Sequence, residues 1–261
     1  MRDGWRDLDR ILRGEATRPA GLARGTIDVR AGRLAAVLVV LAMAYGACMG
    51  CYASLRGGGP SLGQLVASTV KVPALVFLTL AVTLPSLYVS AALAGSRLAP
   101  ATVVRLTAAM LAVIVAPLAS LGPIVAFFSA STTSYPFMVL LNVAAFAVAG
   151  ACGAGFLIRT LHRLGLARDL PAATEAEEHV GDEKAGAPTP GVLDPAGDEP
   201  PSRHVRLVFR CWAILFGLVG AQMAWVLRPF IGNPARPFAW FRPREFNVFE
   251  AIWQTVLGLV S

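Results

Sequence analysis

"LAAVLVVLAMAYGACMGCYAS", residues 34–54, is a run of twenty-one residues without a charge. About 20 consecutive apolar residues are what a helix needs to cross the ~30 Å hydrocarbon core of a bilayer. The surroundings of the run decide how to read it. Between Arg33 and Asp169 there is no acidic residue, and only Arg56, Lys71, Arg97, Arg105, Arg159, Arg163 and Arg168 carry a charge. Over the whole chain 56% of residues are hydrophobic and 15% charged, with a mean hydropathy of +0.61. Soluble domains carry about 25% charged residues. A water-soluble fold has no means of covering so much apolar surface, whereas lipid requires it, and in lipid only helices or closed barrels satisfy their own backbone. The expectation is an all-α integral membrane protein with five transmembrane helices and flanking interfacial amphipathic helices.

The other four apolar runs are Pro73–Ala94, Ala101–Ala130, Pro136–Thr160 and Leu207–Leu227. Pro73, Pro100 and Pro136 are read as helix starts, where a missing N–H costs nothing. Pro85 lies mid-span, and Pro117 and Pro123 lie within the third run; each is expected to kink or break its helix. The chain then divides into a basic amphipathic segment (1–33), a four-helix unit (34–166), an acidic linker (167–206), a fifth span (207–231) and a C-terminal interfacial segment (232–261). No short apolar core with a small-residue cleavage site occurs in the first 33 residues, so the first span is expected to act as an uncleaved insertion signal.

Orientation follows the distribution of Lys and Arg. The N-terminal segment carries eight arginines, whereas the first loop holds only Arg56 and Lys71, and "STTSY" is uncharged. The N-terminus is therefore expected in the cytoplasm, in a bacterial inner membrane. Five spans would place Arg228, Arg236, Arg242 and Arg244 outside; re-entry of the fifth segment would return them to the cytoplasmic side. Residues 169–202 hold nine acidic residues against Lys184 alone and show no apolar periodicity, which reads as a disordered tether.

Two shorter elements are amphipathic. Trp5, Leu8, Ile11 and Leu12 form an apolar stripe between arginines, suited to lying on anionic lipid. Phe249, Ile252, Trp253, Val256, Leu257 and Val260 recur at helical spacing in a segment too short to span.

Chemistry-bearing patterns are few. "GACMGC" contains both Gly46-x-x-x-Gly50 and Cys48-x-x-Cys51. The glycine pair favours close helix approach; the cysteine pair would suit thiol redox chemistry only with a second pair nearby. No span contains an acid, and His162, His179 and His204 fall in or beside the linker. No catalytic residue, cofactor, metal or nucleic-acid partner is expected. Ser129, Ser131, Thr132, Thr133 and Ser134, beside the prolines of the third span, together with Asn142 and Gln222, could line a polar path; equally they could bond neighbouring helices.

The segment "WVLRPFIGNPARPFAWFRPREF", residues 225–246, alternates arginine, proline and aromatic bulk. Aromatic rings suit a headgroup boundary, arginine offers a donor fork to phosphate, and proline keeps the chain from continuing as a helix. Arg228, Arg236, Arg242 and Arg244, anchored by Trp225, Trp240 and Phe241, are the candidate site for anionic lipid headgroups or a membrane-protein partner, which includes a homo-oligomer.

Five helices after a polar N-terminus, with prolines in the middle spans, resemble the Yip family of Rab-interacting membrane proteins over residues 34–228. That resemblance implies membrane organisation or trafficking and carries no residue-specific role. "ILRGEATR", "LGPIVAFFS", "TTSYPFMVLLN" and "WVLRPFIGNP" are similar to strings in a group of bacterial membrane proteins without an assigned activity. The expected function is non-enzymatic membrane organisation or scaffolding. The alternatives are a channel or transporter subunit with its path at a broken third helix, and a thiol redox protein using Cys48 and Cys51.

Overall fold

The computed structural model describes residues 2–15, 31–56, 62–93, 100–178, 203–232, 238–241 and 248–260. Its elements are α1 (Arg2–Leu12), α2 (Ala31–Arg56), α3 (Leu62–Leu93), α4 (Pro100–Ser131), α5 (Tyr135–Glu178), α6 (Arg203–Leu227) and α7 (Val248–Val260), with no strand among the described residues. Five helices contain stretches long and apolar enough to cross a membrane: Ala31–Leu55, Leu62–Ser90, Pro100–Ser131, Tyr135–Thr160 and Leu207–Leu227. The chain is a multi-pass, all-helical membrane protein.

Lipid tails are as apolar as leucine, so these helices need close contact and interhelical hydrogen bonds to associate. Gly46 and Gly50 supply the contact between α2 and α3. A Cβ on Gly46 would lie 2.5 Å from the carbonyl oxygen of Ser68, and one on Gly50 would lie 2.9 Å from Leu65 Cα. Hydrogen bonds supply the rest. The buried Tyr45 hydroxyl donates to Asn142 Oδ1 at 2.8 Å, joining α2 to α5, and Trp212 Nε1 donates to the Thr83 carbonyl at 2.9 Å, joining α6 to α3. Tyr52 donates to the Thr133 carbonyl in the α4–α5 turn at 2.9 Å. The buried core runs through α2, α3 and α4, with Leu38, Tyr45, Leu106 and Leu118 at its centre. In the most apolar window of α6 only 11% is buried, against 44% in α2. The last span is therefore peripheral.

Several expectations change. α3 begins at Leu62, not Pro73: its first turns carry Gln64, Ser68 and Lys71, whose polar groups bond carbonyls at the far end of the chain. Pro73 and Pro85 both lie inside α3, and Pro117 and Pro123 lie inside an uninterrupted α4, so the third span is not broken. Packing on both sides holds these helices together across the missing N–H groups. α5 continues to Glu178, ten residues into the expected disordered segment, whose Ala- and Glu-rich start sustains a helix. Residues 179–202 lie outside the described residues.

α1 is not simply laid on lipid. Leu8 and Ile11 are buried in the core cluster, while Trp5 and Leu12 stay exposed. Asp3 binds Arg33 at 2.5 Å, which fixes α1 against the first turn of α2, and Gly14, at φ +73°, turns the chain away after α1. At the opposite end of α2, a Cβ on Gly232 would meet Ala53 Cβ at 2.9 Å. α6 thus brings its C-terminal end, through Gly232, to the end of the bundle away from α1.

Gly46→Ala is expected to lower stability by about 1–3 kcal/mol, since the added methyl meets backbone and not a movable side chain. Gly217→Ala, at a position with open space around it, should leave stability unchanged or slightly raised. Thermal unfolding of both variants in detergent checks the contrast.

Candidate functional site

The C-terminal segment is held by one face of α3. Gln64, Ser68 and Lys71 stand at i, i+4 and i+7, so a helix presents them in one row. Gln64 Nε2 donates to the Phe230 carbonyl at 2.8 Å, and the Ser68 hydroxyl lies between the carbonyls of Gln64 and Phe230. Lys71, buried at 3% exposure, donates to the Pro229 carbonyl at 3.0 Å and to the Trp240 carbonyl. Its Nζ also sits 5.1 Å from the centroid of the Phe241 ring and 6.0 Å from that of Trp240. An ammonium has three donors; two carbonyls and an aromatic face account for all three. Among the described residues no carboxylate takes part.

This arrangement accounts for the backbone of a segment rich in proline. Pro229 contributes no N–H and α6 ends at Leu227, so no helix satisfies the carbonyls of residues 229, 230 and 240. Gly232 is in the left-handed region at φ +69°, and a Cβ there would also meet Gln64 Cγ at 2.6 Å, so only glycine allows this approach.

The expected headgroup site divides accordingly. Arg228 stacks on Trp225, with Cζ 3.7 Å from the ring centroid. Phe238, Trp240 and Phe241 are exposed at the same end, and the Phe238 and Trp240 rings meet edge to face at 5.8 Å. The Trp240 backbone is thus tied inward by Lys71 while its ring faces out, as an interfacial aromatic requires. Arg236, Arg242 and Arg244 lie outside the described residues. Gln64 and Ser68 escape the sequence reading, which takes Lys71 as a charge of the first loop. The signal available was their i, i+4, i+7 spacing.

The expected polar path is not assembled from its expected members. Ser129 and Ser131 donate to the carbonyls of Val125 and Phe127 in their own helix. The Thr132 hydroxyl accepts the Ser134 N–H, and the Ser134 hydroxyl accepts the Phe137 N–H, capping the turn into α5. Thr133 serves through its carbonyl, and Gln222 is half-buried on α6. Asn142 bonds Tyr45 and, through Nδ2, the Met138 carbonyl. Of these residues it alone borders the large cavity between α5 and α6, which has a volume of about 1280 Å³.

Cys48 and Cys51 are free, half-buried thiols on α2, and Cys152 and Cys211 are exposed on α5 and α6. A Cβ on Gly122 would lie 3.3 Å from Cys48 Sγ, so that thiol packs against α4. Among the described residues no three His, Cys, Asp or Glu side chains are grouped for a metal ion. Comparison with family models, curated proteins and solved structures finds no match.

Lys71→Met removes the donors to Pro229 and Trp240, a change expected to cost about 1.5–3 kcal/mol for loss of a charge-assisted pairing. Hydrogen exchange should rise at residues 229–232 and 238–241 while the α2–α3 contact stays protected. Unchanged exchange in those two stretches would contradict the clamp.

Proposed function

We propose that this protein is a non-enzymatic membrane organiser that binds anionic lipid headgroups through its C-terminal end. The observation that carries the reading is the clamped platform at the end of α6, where Arg228 stacks on Trp225 beside exposed Phe238, Trp240 and Phe241. Rings at that level partition to the headgroup region, and a guanidinium there meets phosphate. The remaining arginines of the segment, Arg236, Arg242 and Arg244, extend the same charge pattern in sequence. The eight arginines of the N-terminal segment favour a cytoplasmic N-terminus, which puts the platform on the outer face of a bacterial inner membrane. The Yip resemblance fits the same reading, since it too implies organisation of a membrane and not catalysis.

Changing Arg228, Arg236, Arg242 and Arg244 together to Gln should lower co-purifying phosphatidylglycerol several-fold and leave phosphatidylcholine unaffected. Lipid extraction and mass spectrometry of the protein purified in mild detergent reads this out. Equal phosphatidylglycerol in the variant and the parent would sink the proposal.

A further inference from the structure

The cavity between α5 and α6 has a length, a lining and a charge pattern that together select an occupant. Along α6 it runs from Arg210 to Arg228, eighteen positions apart. At 1.5 Å per residue that is about 27 Å, close to the ~30 Å hydrocarbon thickness. Its walls are mostly apolar, and Ala147, Gly150 and Ala154 on α5 and Gly217 and Ala221 on α6 are the small residues among them. Its volume of about 1280 Å³ is above the ~300–1,000 Å³ of a pocket for a drug-sized ligand. An elongated apolar space of that size suits a long-chain molecule.

Charge narrows the choice. Among the described residues the lining holds Arg210 at one end, Arg228 at the other, and no acidic residue. Arg228 stands where α6 ends, with its guanidinium over the Trp225 ring, and Pro229, Phe230 and Ile231 line that end of the cavity. α7 adds the neutral polar groups Gln254 and Thr255 to the wall. A cation at the headgroup level above an apolar slot is complementary to an anion carrying acyl chains. We infer that the Arg228 half of the α5–α6 cavity is an intramembrane site for one anionic phospholipid, its tails between the helices over about one leaflet and its phosphate at Arg228. The inference rests on the lipid-binding reading above and adds to it a defined site with a stoichiometry of one.

Gly150 and Gly217 both line the cavity, and a Cβ on either meets nothing within 4 Å. Replacing them with leucine therefore fills the slot without forcing the helices apart, and leucine also suits a helix better than glycine. The experiment is native mass spectrometry of the full chain in detergent, titrated with phosphatidylglycerol and, separately, with phosphatidylcholine of the same tails. The parent should hold one phosphatidylglycerol tightly and bind phosphatidylcholine at least tenfold more weakly. The Gly150→Leu/Gly217→Leu variant should lose that lipid by at least tenfold, and Gly150→Leu alone should weaken it partially. The Arg236→Gln/Arg242→Gln/Arg244→Gln variant, which keeps Arg228, should retain it. Retention of the single lipid by both leucine variants would overturn the cavity site, and so would a switch from dimer to monomer as the only effect of filling it. If the leucine variants keep the lipid while the four-arginine variant loses it, headgroup binding by the platform survives and the cavity site falls.

Discussion

An ammonium group buried in a chain segment without carboxylates has few ways to persist. Moving a charge out of water costs several kcal/mol even after relaxation, and Lys71 has no acidic residue between Arg33 and Asp169 to offset that cost. Its partners come instead from the far end of the chain, as the carbonyls of Pro229 and Trp240 and the face of Phe241. The exchange serves both sides. The lysine gains acceptors, and a stretch rich in proline gains donors for carbonyls that no helix or sheet would satisfy. Through this contact the C-terminal segment becomes part of the bundle. Arg228, the outward aromatic rings and the residues lining that end of the α5–α6 cavity take their places from it.

The same scarcity of partners shapes the rest of the membrane core. Among interchangeable apolar surfaces, specificity resides in a handful of small residues and hydrogen bonds. Gly46 and Gly50 let α2 meet the backbone of α3, Tyr45 reaches Asn142, and Trp212 reaches the Thr83 carbonyl. Most remaining hydroxyls bond carbonyls of their own helix, as at Thr79, Thr107 and Ser129, and so carry no interhelical information. α6 has one anchor near its start, Trp212, and another beyond its end, the clamp. Between the two anchors it stands off from α5, and the cavity is the result.

How much was legible in the sequence follows from which forces act locally. The five spans could be read because hydropathy and length are properties of a run and the bilayer imposes both. The close approach at Gly46 and Gly50 was also legible, since a missing Cβ has the same consequence whatever the partner. The start of α3 was missed because Gln64, Ser68 and Lys71 look like loop residues until the carbonyls that satisfy them are in place. Breaks at Pro117 and Pro123 were expected from a missing N–H, yet α4 runs through both positions, because its neighbours limit how far it can open.

By itself the sequence determined the class of molecule: helical, multi-pass, with an aromatic and arginine-rich segment after the last span. Each of these depends on composition within a window of about twenty residues, and lipid reads such windows one at a time. Only the tertiary structure decided that Lys71 is a clamp and not a loop charge, that residues 129–134 cap a turn and do not line a path, and that α6 leaves a slot beside α5. The first and last of these depend on pairs of groups more than a hundred positions apart, such as Lys71 with Pro229 and Trp212 with Thr83. A donor's role is set by the acceptor it reaches, and which acceptor lies within reach is a property of the packed helices alone.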